Sequence, residues 1–437
     1  MKKLLLPLIV EQFLALGVGL ADIMMIASVG EEAVSGVSLV DTLVILIMGI
    51  FTAMATGGAV VAAQYLGFGD RAKAKVGVNQ LVLVLFVISS FFCLISVAFN
   101  GGILRLIYGD LHPKVAANAR IYFYIIAASF PFLGLYNAGA AIFRAQGNSK
   151  ITMIISFIMN LVNIAGNYTL IFIFPMGVAG AAVSSLVSRG VAAVVILWLA
   201  RDEKLRLSID RRFRLGYDFS MIRKILYIGV PNGLENSVFQ LGKVIVARLI
   251  TSFGISAIAA NGISSPISAV QVIPGMAIGV GLITVVGQCV GARKYKEARF
   301  FTFKLMKICI LVETCLNVVL ILCMKRILAL CNLTPETFDT AFILTTMHSV
   351  FAMFLWPLSF CLPNALRASN DATFTMKVSI SSMFLFRVLG SFVIGKYLGF
   401  GVVGVWISMM IDWAFRSCFF IHRLYKRKLV PKISLIE

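Results

Sequence analysis

Apolar positions in this chain run on; they do not alternate. Stretch after stretch holds about 20 apolar residues, enough for a helix to cross a hydrocarbon core of ~30 Å. The runs predict twelve helices, over roughly 4–28, 37–66, 78–100, 117–143, 150–174, 178–200, 221–252, 262–290, 304–324, 341–366, 373–397 and 402–421. Turn-forming residues fall between them, among them Gly67-Phe68-Gly69-Asp70, Gly147-Asn148, Pro175-Met176-Gly177 and Asn370-Asp371. Backbone polar groups in lipid must be satisfied within a helix or a closed barrel, and these runs are too long and too evenly apolar for barrel strands. The expected class is an all-α integral membrane protein. The first run lacks a small-residue cleavage site and carries Pro7, Glu11 and Asp22, so it reads as a retained helix, not a signal peptide.

The pattern also repeats. Pro7, Glu11 and Gly30 recur as Pro231, Glu235 and Gly254, each 224 residues later. Gln64 and Gly67 recur as Gln288 and Gly291, and Gly177 and Gly180 as Gly401 and Gly404, at the same offset. Phe143-Arg144-Ala145 returns as Leu366-Arg367-Ala368 with a slip of one residue. Two copies of one unit are implied, each of six helices. An even number brings the chain back to its starting side, so the copies enter with the same orientation: parallel repeats, not inverted ones, about an axis along the membrane normal. The expected organisation is a first bundle over 1–200, a basic cytoplasmic linker over 201–220, and a second bundle with a cytoplasmic tail over 221–437. The linker begins the polar stretch 201–224, read as an amphipathic helix lying on anionic headgroups. Two pseudo-symmetric bundles around a central cavity point to transport.

Composition agrees. Of 437 residues, 60% are hydrophobic and 13% charged, and mean hydropathy is +0.96. The net charge of +20 is sorted by side. Most of the 39 Lys and Arg fall in the loops and ends of one face, while the other face holds Arg105, Lys114, Arg120, Lys325, Arg326 and Lys396. That asymmetry puts both termini in the cytoplasm of a cell whose plasma membrane holds the protein. No basic face with stacking aromatics suggests nucleic acid. Eight cysteines and three histidines show no ligand spacing, and no P-loop or nucleophile elbow is present, so neither enzyme nor cofactor is expected. Without an ATP site, transport would draw on an ion gradient; one charge crossing 100 mV supplies about 2.3 kcal/mol.

A carboxylate at mid-bilayer costs about 2.5–3.5 kcal/mol and needs a reason. Glu11, Asp22 and Asp41 lie in the first two helices, and Glu235, Glu313 and Asp412 in the second half. Asp22 follows Pro7 by about four turns, nearly on the same face. Proline permits a bend, and a buried carboxylate takes up a proton readily, so cation binding at Asp22 would couple to helix shape. The competing reading leaves Asp22 hydrated and idle near the outer end. Glu11, near the cytoplasmic end, is expected to be solvated. Asn160, Asn163 and Asn167 lie on the fifth helix, with Asn163 and Asn167 on one face, and Ser184 and Ser185 follow on the sixth. Amides so spaced serve as interhelical glue or as cavity ligands. In the second half, Glu235, Asn236, Gln240 and Lys243, with Arg387, give a polar and partly cationic cavity lining. Phe and Met elsewhere supply adaptable apolar wall.

In order and spacing, PLIVEQ, ADIMMIASVGEEAVSGVS, AAQYLGFGD, FRAQGNSK, NIAGNYTLIF and GVAGAAVSS resemble the multidrug and toxic-compound extrusion (MATE) family over essentially the whole chain. The resemblance implies two six-helix lobes in a V and a monomer among membrane lipids. It implies efflux of amphipathic, cationic organic compounds in exchange for Na+ or H+. In one branch the coupling residues gather in the first lobe, and they fall here on Asp22, Asn163 and Ser185, with the bending proline on Pro7. Asn167 stands where that branch has a second carboxylate. A sodium ion would still find oxygens at Asp22, Asn163, Asn167 and Ser185, while a proton would have Asp22 alone. Another branch uses a glutamate and an aspartate of the second lobe; Glu235 lies about one turn from that glutamate, and no aspartate matches. The alternative is a flippase or exporter of a lipid-linked or anionic molecule, motivated by Lys243, Arg248, Arg387 and Arg416 within the second-half helices.

Overall fold

The computed structural model describes residues 2–210, 216–431 and 435, and among these it is helical throughout, with no strand. In chain order the helices are α1 (Lys2–Ala27), α2 (Glu31–Phe68), α3 (Arg71–Ala98), α4 (Asn100–Tyr108), α5 (Pro113–Ala128), α6 (Phe130–Ala145), α7 (Ser149–Asn167) and α8 (Gly177–Leu199). They continue as α9 (Phe219–Thr251), α10 (Ile255–Gln271), α11 (Ile273–Gly291), α12 (Tyr295–Ala329), α13 (Pro335–Ala352), α14 (Leu362–Ala368), α15 (Ala372–Ser382) and α16 (Gly401–Arg427). Nine helical stretches of the described residues are long and apolar enough to span a membrane, and two bent pairs, α5 with α6 and α13 with α14, bring the number to eleven. The charged and polar α9 completes the expected twelve. The protein is therefore an integral, multi-pass membrane protein.

The expected boundaries were short in several places. Glu31 and Glu32, which lie between the expected helices 4–28 and 37–66, form the first turn of α2, where two acids favour the positive end of the helix dipole. The fourth span bends by 45° at Ser129, ahead of Pro131, and the tenth by 60° ahead of Pro357. Proline withholds an N–H and pushes back the preceding turn, which accounts for both breaks.

Two compact units result, Met1–Gly233 and Leu234–Glu437. The boundary falls inside α9, not in the polar linker. Linker residues pack onto the first unit: Leu207 and Ile209 are buried, Asn79 Nδ2 donates to Asp210 at 2.8 Å, and Lys75 pairs with Asp210 at 2.7 Å. The first turns of α9 follow, with Ile225 and Gly229 close against Gly57 and Met54 of α2. Residues 201–210 form turns and bends; the expected surface helix falls partly on 211–215, outside the described residues.

Within the first unit, α1 packs on α7 and α8, while α2 packs on α3, α5 and α6. Within the second, α10 packs on α13, α11 on α12 and α14, and α16 along the π-helical segments 383–389 and 391–397. The repeat read in the sequence has a packing cause. A Cβ on Gly180 would lie 2.9 Å from the carbonyl oxygen of Leu170, and one on Gly404 would lie 2.9 Å from the carbonyl carbon of Ile394. Leu170 and Ile394 sit in matching π-helical segments, Tyr168–Ile173 and Ser391–Tyr397. Both units thus close a helix onto bare backbone at the same place. Gly30 and Gly254, with φ of +132° and +95°, turn the chain into α2 and α10 in conformations that side chains disfavour.

Candidate functional site

In the first unit, α1, α7 and α8 bring the expected coupling residues together. Asn167 Nδ2 donates to Asp22 Oδ1 at 2.5 Å, so the carboxylate of Asp22 faces α7. Asn163 Nδ2 donates to Ser185 Oγ at 3.2 Å, and Ser184 Oγ donates to the Asn163 carbonyl at 2.6 Å. Gly166 allows the close approach of α7 and α8, since a Cβ there would lie 2.4 Å from Ser184 Oγ. The amide oxygens Asn163 Oδ1 and Asn167 Oδ1 are buried and accept no hydrogen bond. Buried carbonyl oxygens left without donors are costly, and amide, carboxylate and hydroxyl oxygens are the ligand type that hard cations take. No cluster of three His, Cys, Asp or Glu able to hold a metal ion occurs among the described residues.

Three neighbours were not assigned to this site from the sequence. Asp41 of α2 accepts from Tyr122 Oη at 3.2 Å, and its charge is felt at Asp22. Arg189 of α8 lies within electrostatic reach of both carboxylates and donates to Ser129 Oγ at 2.7 Å. Two carboxylates and one guanidinium leave the site one negative charge when all are ionised. A signal was present: Arg189 follows Ser185 by four residues, one turn on the same face. Pro7 lies near the start of α1, which runs unbroken through it.

Glu11 corrects an expectation. It is 5% exposed and not solvated. It pairs with Arg144 of α6 and accepts from Thr152 Oγ1 at 3.0 Å. The second unit repeats the arrangement, with Arg367 Nη2 at 2.8 Å from Glu235 Oε2 and Arg416 Nη2 at 3.6 Å from Glu235 Oε1. Glu235 was expected to line a cavity; its basic partners instead hold it within the packing, because a buried charge must be paired.

A cavity of about 720 Å³ does lie in the second unit. Lys243 and Arg387 line it, together with Phe239, Trp356, Trp406 and Trp413. Glu235, Asn236 and Gln240 are not among its lining residues. The ammonium of Lys243 and the guanidinium of Arg387 stand 5.1 and 5.0 Å from the centre of the Phe239 ring. Such a volume, mostly apolar with a few polar groups, is the usual character of a small-molecule site.

Comparisons with known proteins agree with this architecture. The family model MatE matches residues 7–169 and again 231–393, two copies at the offset of 224 seen in the sequence. The chain is 26% identical over 434 residues to the uncharacterized transporter YisQ of Bacillus subtilis, covering 98% of this chain and 94% of that one. It is 25% identical to the probable multidrug resistance protein NorM of Thermotoga maritima, over 98% and 93% of the two chains. A protein named FAD transporter from Shewanella oneidensis is 23% identical over 76% of this chain and 74% of its own length. Among solved structures, a MOP superfamily transporter from Pyrococcus furiosus superposes with a TM-score of 0.91 at 17% identity, over 98% of this chain and 94% of the other.

Proposed function

The chain belongs to the MatE family, and from that membership we propose that it is a secondary active efflux transporter, exchanging amphipathic organic compounds for Na+ or H+. The observation that carries the coupling site is the Asp22–Asn167 contact between α1 and α7, beside two buried amide oxygens that accept no hydrogen bond. An entering Na+ would take Asp22, Asn163 Oδ1 and Asn167 Oδ1 as ligands; an entering proton would occupy the Asp22 carboxylate. The proton weakens that carboxylate as an acceptor for Asn167 Nδ2; the Na+ would replace the direct Asn167–Asp22 contact with shared coordination. With a proton the junction of α1 with α7 loosens and α1 is free to bend at Pro7, where one backbone hydrogen bond is already missing, whereas a Na+ shared by Asp22 and the two amides ties α1 to α7 in one fixed geometry. The unpaired amide oxygens favour Na+ over a bare proton.

In this reading the cavity of the second unit holds the exported compound, and both termini lie in the cytoplasm of a plasma-membrane protein. A second reading, export of a lipid-linked or anionic molecule, draws support from Lys243 and Arg387 on the cavity wall. The positive wall also weighs against a cargo that is cationic.

The test is transport in proteoliposomes under an imposed Na+ or pH gradient, with fluorescent aromatic compounds of either charge. Gradient-driven movement is expected in the natural protein and a loss of at least about tenfold in Asp22→Asn, the size of one charge-assisted contact. Equal movement in both proteins would remove Asp22 from the mechanism.

A further inference from the structure

The 224-residue offset, apart from a slip of one residue near Arg144, relates the two units, and the alignment lands on their chemistry. Asp22, Asp41, Asn163, Ser185 and Arg189 of the first unit correspond to Val246, Ser265, Arg387, Met409 and Trp413 of the second. All five counterparts line the cavity. The cavity thus overlaps the repeat image of the polar site in the first unit, with both carboxylates gone and a guanidinium in the place of an amide, while Ser391, the counterpart of Asn167, is buried outside its lining.

The charge balance around it is one-sided. No Asp or Glu is among the lining residues. Lys243 is open to the cavity, and no carboxylate among the described residues forms an ion pair with it. Arg387 has Asp412 Oδ2 at 3.9 Å, a loose contact, while the other oxygen of Asp412 accepts from Ser382. Glu235 is occupied by Arg367 and Arg416. Glu313 sits behind Gly275, accepting its backbone N–H at 2.9 Å. Two cations therefore face a largely apolar space with one distant partner between them. Cations set against an aromatic, largely apolar wall with no carboxylate lining it attract an oxyanion. The remaining wall is aromatic, with Trp356 stacked on Phe360 and Trp413 edge-on to Phe360.

We propose that this cavity binds aromatic organic anions, with a carboxylate or phosphate group held between Lys243 and Arg387 and the flat body against Trp356, Trp406 and Trp413. The proposal names a substrate class for the efflux function above and rests on that reading for transport, though not for binding.

The experiment compares two xanthene dyes of like shape and opposite charge, anionic fluorescein and cationic rhodamine 6G. Binding is read by fluorescence anisotropy on the full chain in phosphatidylcholine nanodiscs. Fluorescein is expected to bind at least about tenfold more tightly than rhodamine 6G, and Lys243→Gln and Arg387→Gln to weaken it by about tenfold each. Arg387→Lys is expected to restore part of the loss. Lys243→Gln breaks no ion pair, so it tests the site even where Arg387→Gln misfolds. Equal or tighter binding of rhodamine 6G overturns the proposal, as does fluorescein affinity unmoved by Lys243→Gln. A tenfold fall in fluorescein affinity on adding phosphatidylglycerol would assign the two cations to lipid headgroups and overturn it too. Fluorescein binding that persists while Asp22→Asn leaves gradient-driven transport unchanged defeats the coupling mechanism alone.

Discussion

The buried ion pairs show what a single residue decides. Glu11 with Arg144, and Glu235 with Arg367, occupy matching places in the two units. Removing one member leaves an uncompensated buried charge, at a cost of about 3–5 kcal/mol. Glu11→Gln is therefore expected to lower the melting temperature of the purified protein clearly, and Glu11→Leu combined with Arg144→Met to recover most of the loss. A double variant as unstable as the single one would show that the pair is not the source. Asn167→Leu removes the donor to Asp22 and should cut coupled transport at least about tenfold with a stability change of only about 1 kcal/mol. The Asn163–Ser185 and Asn167–Asp22 contacts join polar residues that stood out in apolar helices, and helical spacing already put Asn163 and Asn167 on one face. The Glu11–Arg144 pairing was not legible in the sequence. Its two members lie 133 residues apart, and only the fold shows that α1 passes α6 at that point.

At the scale of elements, close backbone contacts set the geometry. Gly180 and Gly404 each meet the backbone of a π-helical segment with no room for a methyl group. Gly180→Ala and Gly404→Ala are each expected to destabilise by about 1–3 kcal/mol through overpacking, measured as a fall in thermal melting point. If the second unit tolerated the change freely, the matched packing would carry no weight there. Pro7→Ala lets α1 complete its hydrogen bonding; it should leave folding intact and slow transport. Helix existence was readable from long apolar runs, and turns from Gly, Asn and Asp. The breaks at Ser129 and ahead of Pro357 were missed because a continuous apolar run hides a bend, although a proline sat just beyond each.

For the whole molecule, duplication was the most legible feature, since it needs only two positions to keep the same spacing. The limits of the compact units were less so. A polar linker looked like the divide, yet Leu207, Ile209, Met221, Ile225 and Ile228 are buried within the first unit. A fragment of residues 1–233 is accordingly expected to elute as a single species in detergent, and one of residues 1–200 to aggregate; the same elution profile for both would refute that division. The chain has four tryptophans, and Trp356, Trp406 and Trp413 stand around the cavity while Trp198 lies at the exposed end of α8. With Trp198→Phe, every ultraviolet photon the protein emits from indole comes from that chamber. Its filling and emptying can then be followed by eye of a spectrometer, in real time and without attaching a label.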